Sequence, residues 1–216
     1  QLINGDAKAA LFNVRDLIKM CERDPGLLNC IAEIFMMAGN YGEAITLAKK
    51  VQKFCPRSDH PHAVLAHAAY ADENFADAGR HAEEAVRLNP LNAYAKTVQM
   101  KLACRNGNYS LAEKIGSDIL RDSPEYSLGH ANLGDVYFNQ GRYESAEIEY
   151  EQCKHLMTAD TKGSRLRQAR IKYINNDFAA AAEILEKLVE SFHTYFDDAI
   201  CDLALCYDEL DLKEKK

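Results

Sequence analysis

Tryptophan is absent from the 216 residues and proline occurs five times, neither of which decides the fold. Other shortages exclude more. No run approaches the roughly 18 consecutive apolar residues that a membrane-spanning helix needs. Residues 1–10 also lack a basic segment followed by an apolar one, so neither a span nor a secretory leader is expected. Basic side chains number 26 against 33 acidic ones, a formal charge of −7, which opposes the cationic excess of a nucleic-acid binder. The seven cysteines form an odd set with no CxxC pair, which fits reduced thiols in an intracellular, cytoplasmic setting better than a disulfide framework. Alternating runs of β-branched residues are missing, while Ala, Leu, Glu, Lys and Arg fill the windows, so strands are not expected. What remains is ordinary for a globular chain: 47% hydrophobic and 27% charged residues, and enough length to bury a core without staples.

The dominant feature is a period. Alanines stand at Ala10, Ala44, Ala78, Ala112, Ala146 and Ala180, each 34 residues after the last. Three residues before four of them comes an aromatic (Tyr41, Phe75, Tyr109, Tyr143), and five before comes a glycine (Gly5, Gly39, Gly107, Gly141), with Glu73 as the exception. Twelve after the alanine comes proline at Pro56, Pro90 and Pro124. Four different markers in one phase define a repeat rather than a coincidence. Each has a mechanical role. Gly accepts the left-handed conformation that ends a helix, the aromatic opens the next helix, the small alanine allows close helix approach, and Pro stops the chain from continuing helical. Every unit is therefore two antiparallel helices of three to four turns joined by a tight turn.

These residues resemble the tetratricopeptide repeat, a 34-residue helix-turn-helix with W-x2-L-G-x2-Y in its first helix. The segment H-A-N-L-G-D-V-Y matches best: His130, Leu133, Gly134 and Tyr137, followed by Gly141, Tyr143, Ala146 and Tyr150. Leu28, Ile31, Ala32 and Phe35, or His62, Leu65, Ala66 and Ala69, keep the sizes more loosely. Repeats are expected over residues 25–58, 59–92, 93–126, 127–160 and 161–196, the last slipped by one residue so that Ala181 replaces Ala180 beside Phe178. Residues 1–24 read as the second helix of a partial repeat and 197–216 as the first helix of a truncated one, as in a segment cut from a longer array. The resemblance implies an all-α fold, a right-handed α-solenoid of stacked antiparallel hairpins.

Motifs of chemistry are missing: there is no GxSxG, GxxxxGK[ST], HExxH or EF-hand loop, so no enzyme, metal or cofactor is expected. His60, His62 and His67 fit no standard zinc spacing and read as surface or packing residues. Cys201 and Cys206 read as buried free thiols on different helix faces, and Leu17, Ile18, Ile184, Leu185 and Leu188 as core. Lys162, Arg165, Arg167, Arg170 and Lys172 load one helix with positive charge; neutralisation by the acids of the preceding helix is preferred over nucleic-acid contact.

Function is then expected from a surface. The resemblance implies a concave groove lined by first helices that holds a partner peptide or helix. Along it, position five reads Asn29, Ala63, Thr97, Ala131, Leu166, mostly small and leaving room. Position nine reads Glu33, His67, Lys101, Asp135, Arg170, and position twelve Met36, Tyr70, Cys104, Phe138, Tyr173. The expected partner-binding residues are Tyr70, Lys101, Asp135, Phe138, Arg170 and Tyr173, aromatic anchors beside charges of mixed sign. The family's clamp for chaperone C-terminal carboxylates is not expected, because Thr97, Lys101, Ala131 and Asp135 occupy its positions. The reading is a protein-interaction scaffold in a multiprotein assembly, without nucleic-acid or membrane contact and with end-to-end self-association possible. The alternative is the regulatory or substrate-recruiting arm of an enzyme whose catalytic domain lies elsewhere.

Overall fold

The computed structural model describes residues 17–18, 23–153, 161–191 and 197–210, and among these there are helices and turns but no strand. Eleven helices are bounded there: α1 (Pro25–Met37), α2 (Tyr41–Phe54), α3 (Asp59–Ala71), α4 (Phe75–Leu88), α5 (Ala93–Arg105), α6 (Tyr109–Asp122), α7 (Ser127–Asn139), α8 (Tyr143–Gln152), α9 (Lys162–Ile174), α10 (Phe178–Ser191) and α11 (Asp197–Glu209). Almost all of the segment 1–24 lies outside the described residues, as do residues 154–160, 192–196 and 211–216.

The turns are built alike. Gly39, Glu73, Gly107, Gly141 and Asn176 all have φ between 57° and 77°, the left-handed region. In each turn the next residue donates its N–H back five residues: Asn40 to Phe35 O, Asn74 to Ala69 O, Asn108 to Ala103 O, Arg142 to Tyr137 O and Asp177 to Lys172 O, at 2.8–2.9 Å. This closure satisfies carbonyls that a helix end leaves orphaned. The side chains of Asn74, Asn108 and Asp177 then accept from the N–H three residues on, so the residue that ends one helix also caps the next. Asp24 does the same for α1 ahead of Pro25.

Within each hairpin one crossing recurs at the eighth residue of both helices. The pairs are Ala32 with Ala48, Ala66 with Ala82, Met100 with Gly116, Gly134 with Tyr150 and Ala169 with Leu185, all buried. At least one member is always small, so that the backbones can close on the other. Where the chain uses glycine the reason is contact: a Cβ on Gly134 would lie 2.5 Å from the Tyr150 ring, and one on Gly116 would lie 2.9 Å from the Met100 sulfur. The alanines of the period, Ala44, Ala78, Ala112 and Ala146, are fully buried, and the buried one of the slipped unit is Ala181 rather than Ala180.

Successive hairpins stack in chain order, each second helix packing on the next first helix. Neighbouring first helices also touch one another, from α1 to α3 through α9 to α11, and neighbouring second helices do not pack to the same extent. An array with its first helices drawn together and its second helices splayed curves with the first helices inside. The chain is thus an α-solenoid. Two expectations are corrected here. Leu17 is exposed, although Ile18 packs on the first core cluster. Cys201 is exposed while Cys206 is buried, because residues 200, 201 and 205 fall on the side of α11 away from α10.

Candidate functional site

The six residues singled out in the sequence all stand on first helices: Tyr70 on α3, Lys101 on α5, Asp135 and Phe138 on α7, Arg170 and Tyr173 on α9. The structure divides them between two cavities. Tyr70, Lys101 and Asp135 line one of about 320 Å³ with Cys104, Arg105 and Arg167. Phe138, Arg170 and Tyr173 line another of about 220 Å³ with Ile174, Asp202 and Leu205.

The rings are fixed by the turn chemistry. A twelfth-position side chain ends its helix five residues before the aromatic that opens the next, so the two flank one turn and meet. Tyr70 stands edge-on to Phe75 (5.4 Å between centroids), Phe138 tilted to Tyr143 (5.5 Å) and Tyr173 edge-on to Phe178 (5.1 Å). Cations cover several faces: Lys101 Nζ lies 5.6 Å from the Tyr70 centroid, the Arg105 guanidinium carbon 3.7 Å from that of Phe75, and that of Arg167 6.0 Å from that of Phe138. Ring positions held in this way lose little side-chain freedom on binding.

Asp135 is the polar hinge of the first cavity. Its Oδ1 accepts from the Tyr150 hydroxyl at 2.8 Å, and its Oδ2 accepts from Ser164 Oγ at 3.0 Å and lies 3.3 Å from Arg167 Nη1. The Asp135 charge in turn holds the Arg167 guanidinium above its usual range. Burial pushes the Tyr70 phenol and the Cys104 thiol up, and burial together with Asp135 pushes Tyr150 far up, so all three stay neutral. Arg170 does not reach Asp135. Its Nε donates to Asp202 at 2.6 Å and its Nη2 lies 3.6 Å from Asp198, both on α11. The first cavity is therefore polar, with three cations and one saturated carboxylate on its walls, whereas the second is mainly apolar with an ion pair at its rim.

A third cleft, of about 580 Å³, opens between the starts of α3, α5 and α7 and includes Glu33, His60, Tyr94, Tyr126 and Leu128. Glu33 bonds His60 there and holds its imidazole above the usual range. His67, the neighbouring ninth-position residue, is instead buried, stacked 3.7 Å from the Tyr94 ring and bonded at Nε2 to Tyr94 O and Thr97 Oγ1.

Profiles described as "Tetratricopeptide repeat" match residues 64–127 and 129–155. The chain is a tetratricopeptide repeat protein. Among solved structures it is similar to a tetratricopeptide repeat protein from Parabacteroides merdae (17% identity, TM-score 0.64, covering 94% of this chain and 78% of that one). It is also similar to a thermophilic one of Thermus thermophilus (20%, 0.64, 85% and 98%). The APC/C hetero-tetramer Cut9–Hcn1 shares the fold at 15% identity and TM-score 0.71, over 95% of this chain and 41% of that chain. A pentatricopeptide repeat-containing protein of Arabidopsis thaliana is 31% identical over 152 residues, 67% of this chain; the chain spans about a third of the length of that curated relative, 34%. Repeats of this family are generally non-catalytic. No helix among the described residues is long and apolar enough to cross a membrane.

Two groove expectations change with these repeats in place. The small fifth-position residues Ala63, Thr97 and Ala131 are buried between adjoining first helices instead of forming an open floor. The cavities lie further along the helices, where Arg105 and Ile174, each next to a twelfth-position residue, and Arg167 join the walls. The basic helix α9 is tied to its neighbours: Arg165 is buried and donates to Tyr150 O of α8 as well as to Gln168 Oε1 of its own helix, Arg167 meets Asp135, Arg170 meets Asp202, and Lys172 meets Glu147.

Proposed function

We propose that this tetratricopeptide repeat array is a protein-interaction scaffold whose first-helix face holds a segment of a partner polypeptide within a larger assembly. The observation that supports this reading is the pair of adjoining cavities. The apolar one, at about 220 Å³, is of the size of one large hydrophobic side chain, with Phe138, Tyr173, Ile174 and Leu205 to close around it. The polar one offers Lys101, Arg105 and Arg167 to an acidic or carbonyl-rich stretch of the same segment. The fold that Cut9–Hcn1 shares serves there in a hetero-tetramer, which accords with assembly as the role.

The test is affinity capture with this protein, wild type beside Tyr70→Ala/Phe138→Ala/Tyr173→Ala. Loss of the captured partner with an unchanged helical circular-dichroism signal is expected. Unchanged capture would move the site to the outer face.

A further inference from the structure

The back of α3, opposite the groove, carries a second polar assembly that partner binding does not use. His62 Nδ1 and His81 Nδ1 face each other at 3.1 Å, and His62 Nε2 lies 3.0 Å from Gln52 Nε2. Gln52 belongs to α2, His62 to α3 and His81 to α4, so this chain of three side chains ties the first hairpin to both helices of the second. All three residues are half-buried, and the two histidines line a cleft of about 400 Å³.

The donors and acceptors follow from the geometry. An amide nitrogen only donates, so His62 Nε2 accepts and its Nδ1 carries the proton that it gives to His81 Nδ1. Reversing the Gln52 amide reverses every donor and acceptor but leaves one proton between the two Nδ1 atoms. One further proton is still housed: a His62 imidazolium donates to His81 Nδ1 and, with the amide turned, to Gln52 Oε1. A second is not, because both Nδ1 atoms would then carry hydrogen and the two cationic rings would face each other at hydrogen-bond distance.

We propose that Gln52, His62 and His81 form a proton-gated joint between the first two hairpins, closed while the two rings share one Nδ1 proton and opened when both become cationic. The surrounding charges place no carboxylate in the joint itself. On α2 stands Lys49. On α4 stand Asp77 and Arg80, which bond each other, Glu84 and Arg87, which do likewise, and Glu83. On α3 the other ionisable groups of the first turn are engaged elsewhere, Asp59 with Asn89 and Asn92 and His60 with Glu33. Burial lowers the proton affinity of both rings; at His62 the Glu84 charge opposes this while Arg80 and Arg87 add to it, and at His81 Arg80, His62 and Lys49 add to it against Asp77, so that both rings end below the ordinary range. Opening is therefore expected on the acid side of the ordinary histidine range. Because α3 also carries His60 and the third groove cleft, release of its back face frees the first hairpin to tilt against the second.

Ring ¹⁵N–¹H spectra of the whole chain from about pH 8 to about pH 4.5, which span the ordinary histidine range, test the joint without any substitution. Expected are two linked titration steps for His62 and His81 below that range, with the second step accompanied by faster amide exchange at the junction of α2 and α3. Independent titration of the two rings at ordinary values would overturn the proposal, as would exchange that ignores the second step. His62→Gln, His81→Phe and their double variant give a second readout. Their coupling in melting temperature should be present at about pH 8 and vanish once both rings are charged, and a coupling that is absent throughout or independent of pH would refute the joint. Neither experiment needs a groove partner, so its failure leaves the interaction reading untouched.

Discussion

The second and fourth hairpins have first helices of 13 residues and the same turn closure yet solve the same crossing in opposite ways. Between α3 and α4 the meeting residues are Ala66 and Ala82, within a core cluster that also holds Ala78 and Val98. Between α7 and α8 they are Gly134 and Tyr150, the ring filling the space that the missing side chain leaves. Two small residues bring the backbones together symmetrically, whereas a large one against none makes a knob in a hole. The difference reaches the groove. The Tyr150 hydroxyl passes through the crossing to Asp135, which Arg167 also meets, so a core residue of the fourth hairpin helps to set the first cavity. The second hairpin has no such link at Ala82, and its polar bridge lies at the back, through His62.

The most severe way to break this contrast is Tyr150→Ala. It removes a fully buried ring and leaves Gly134 facing a void, and it should cost about 3–5 kcal/mol in chemical denaturation. Gly134→Ala alone should cost about 1–3 kcal/mol or more, since its Cβ meets the ring at 2.5 Å. The double variant Gly134→Ala/Tyr150→Ala copies the second hairpin's arrangement and should cost clearly less than the two singles together. Additive costs would mean that ring and methyl do not compete for one space.

How far this was legible differs between backbone and surface. The 34-residue markers named the turns because left-handed backbone selects Gly or Asn, and Gly39, Gly107, Gly141 and Asn176 take that conformation. The one-residue slip was visible because Phe178 fixes the phase, and Ala181 is the buried residue. Tyr150 was readable as a repeat marker but its partner in the core was not, since the eighth-position pair only makes sense once both helices are laid side by side. On the groove side, periodicity gave the helix on which each residue stands but not its reach. Arg167 and Arg170 lie less than one turn apart on α9, and the tilt between hairpins decides that the first meets Asp135 and the second Asp202. The same tilt buries the small fifth-position residues, so the six candidate residues surround two cavities rather than one continuous trough.

A milder exchange sharpens the comparison at the turns. Glu73 holds φ at 57° where the fourth hairpin has Gly141 at 72°. An L-residue in this region is strained by about 1–2 kcal/mol, partly offset because glycine gives the unfolded chain more freedom. Glu73→Gly should therefore stabilise by about 0.5–1 kcal/mol, read as a raised melting temperature, and Gly141→Glu should destabilise by at least as much. If Glu73→Gly lowers the melting temperature instead, the carboxylate contributes something in the turn that outweighs backbone strain.

The smallest effect separates the front of α3 from its back. The Glu33 carboxylate raises the proton affinity of His60, while burial lowers that of His62 two residues on. For His60 the folded value lies above the unfolded one. Its contribution is therefore complete below the unfolded value of about 6.5 and is lost as pH rises through the raised folded value. For His62 the folded value lies below, so its contribution is complete above about 6.5 and disappears as pH falls through the lowered one. The His60–Glu33 pair is more than a third exposed on both sides, which limits it to about 0–1 kcal/mol. Glu33→Gln should bring the His60 ring titration down toward its ordinary value and leave His62 in place, because the two rings project from opposite sides of one helical turn. A parallel shift of both rings in ¹⁵N–¹H spectra would mean that α3 moves as a whole when its front contact is cut, and that groove and back joint are mechanically one unit.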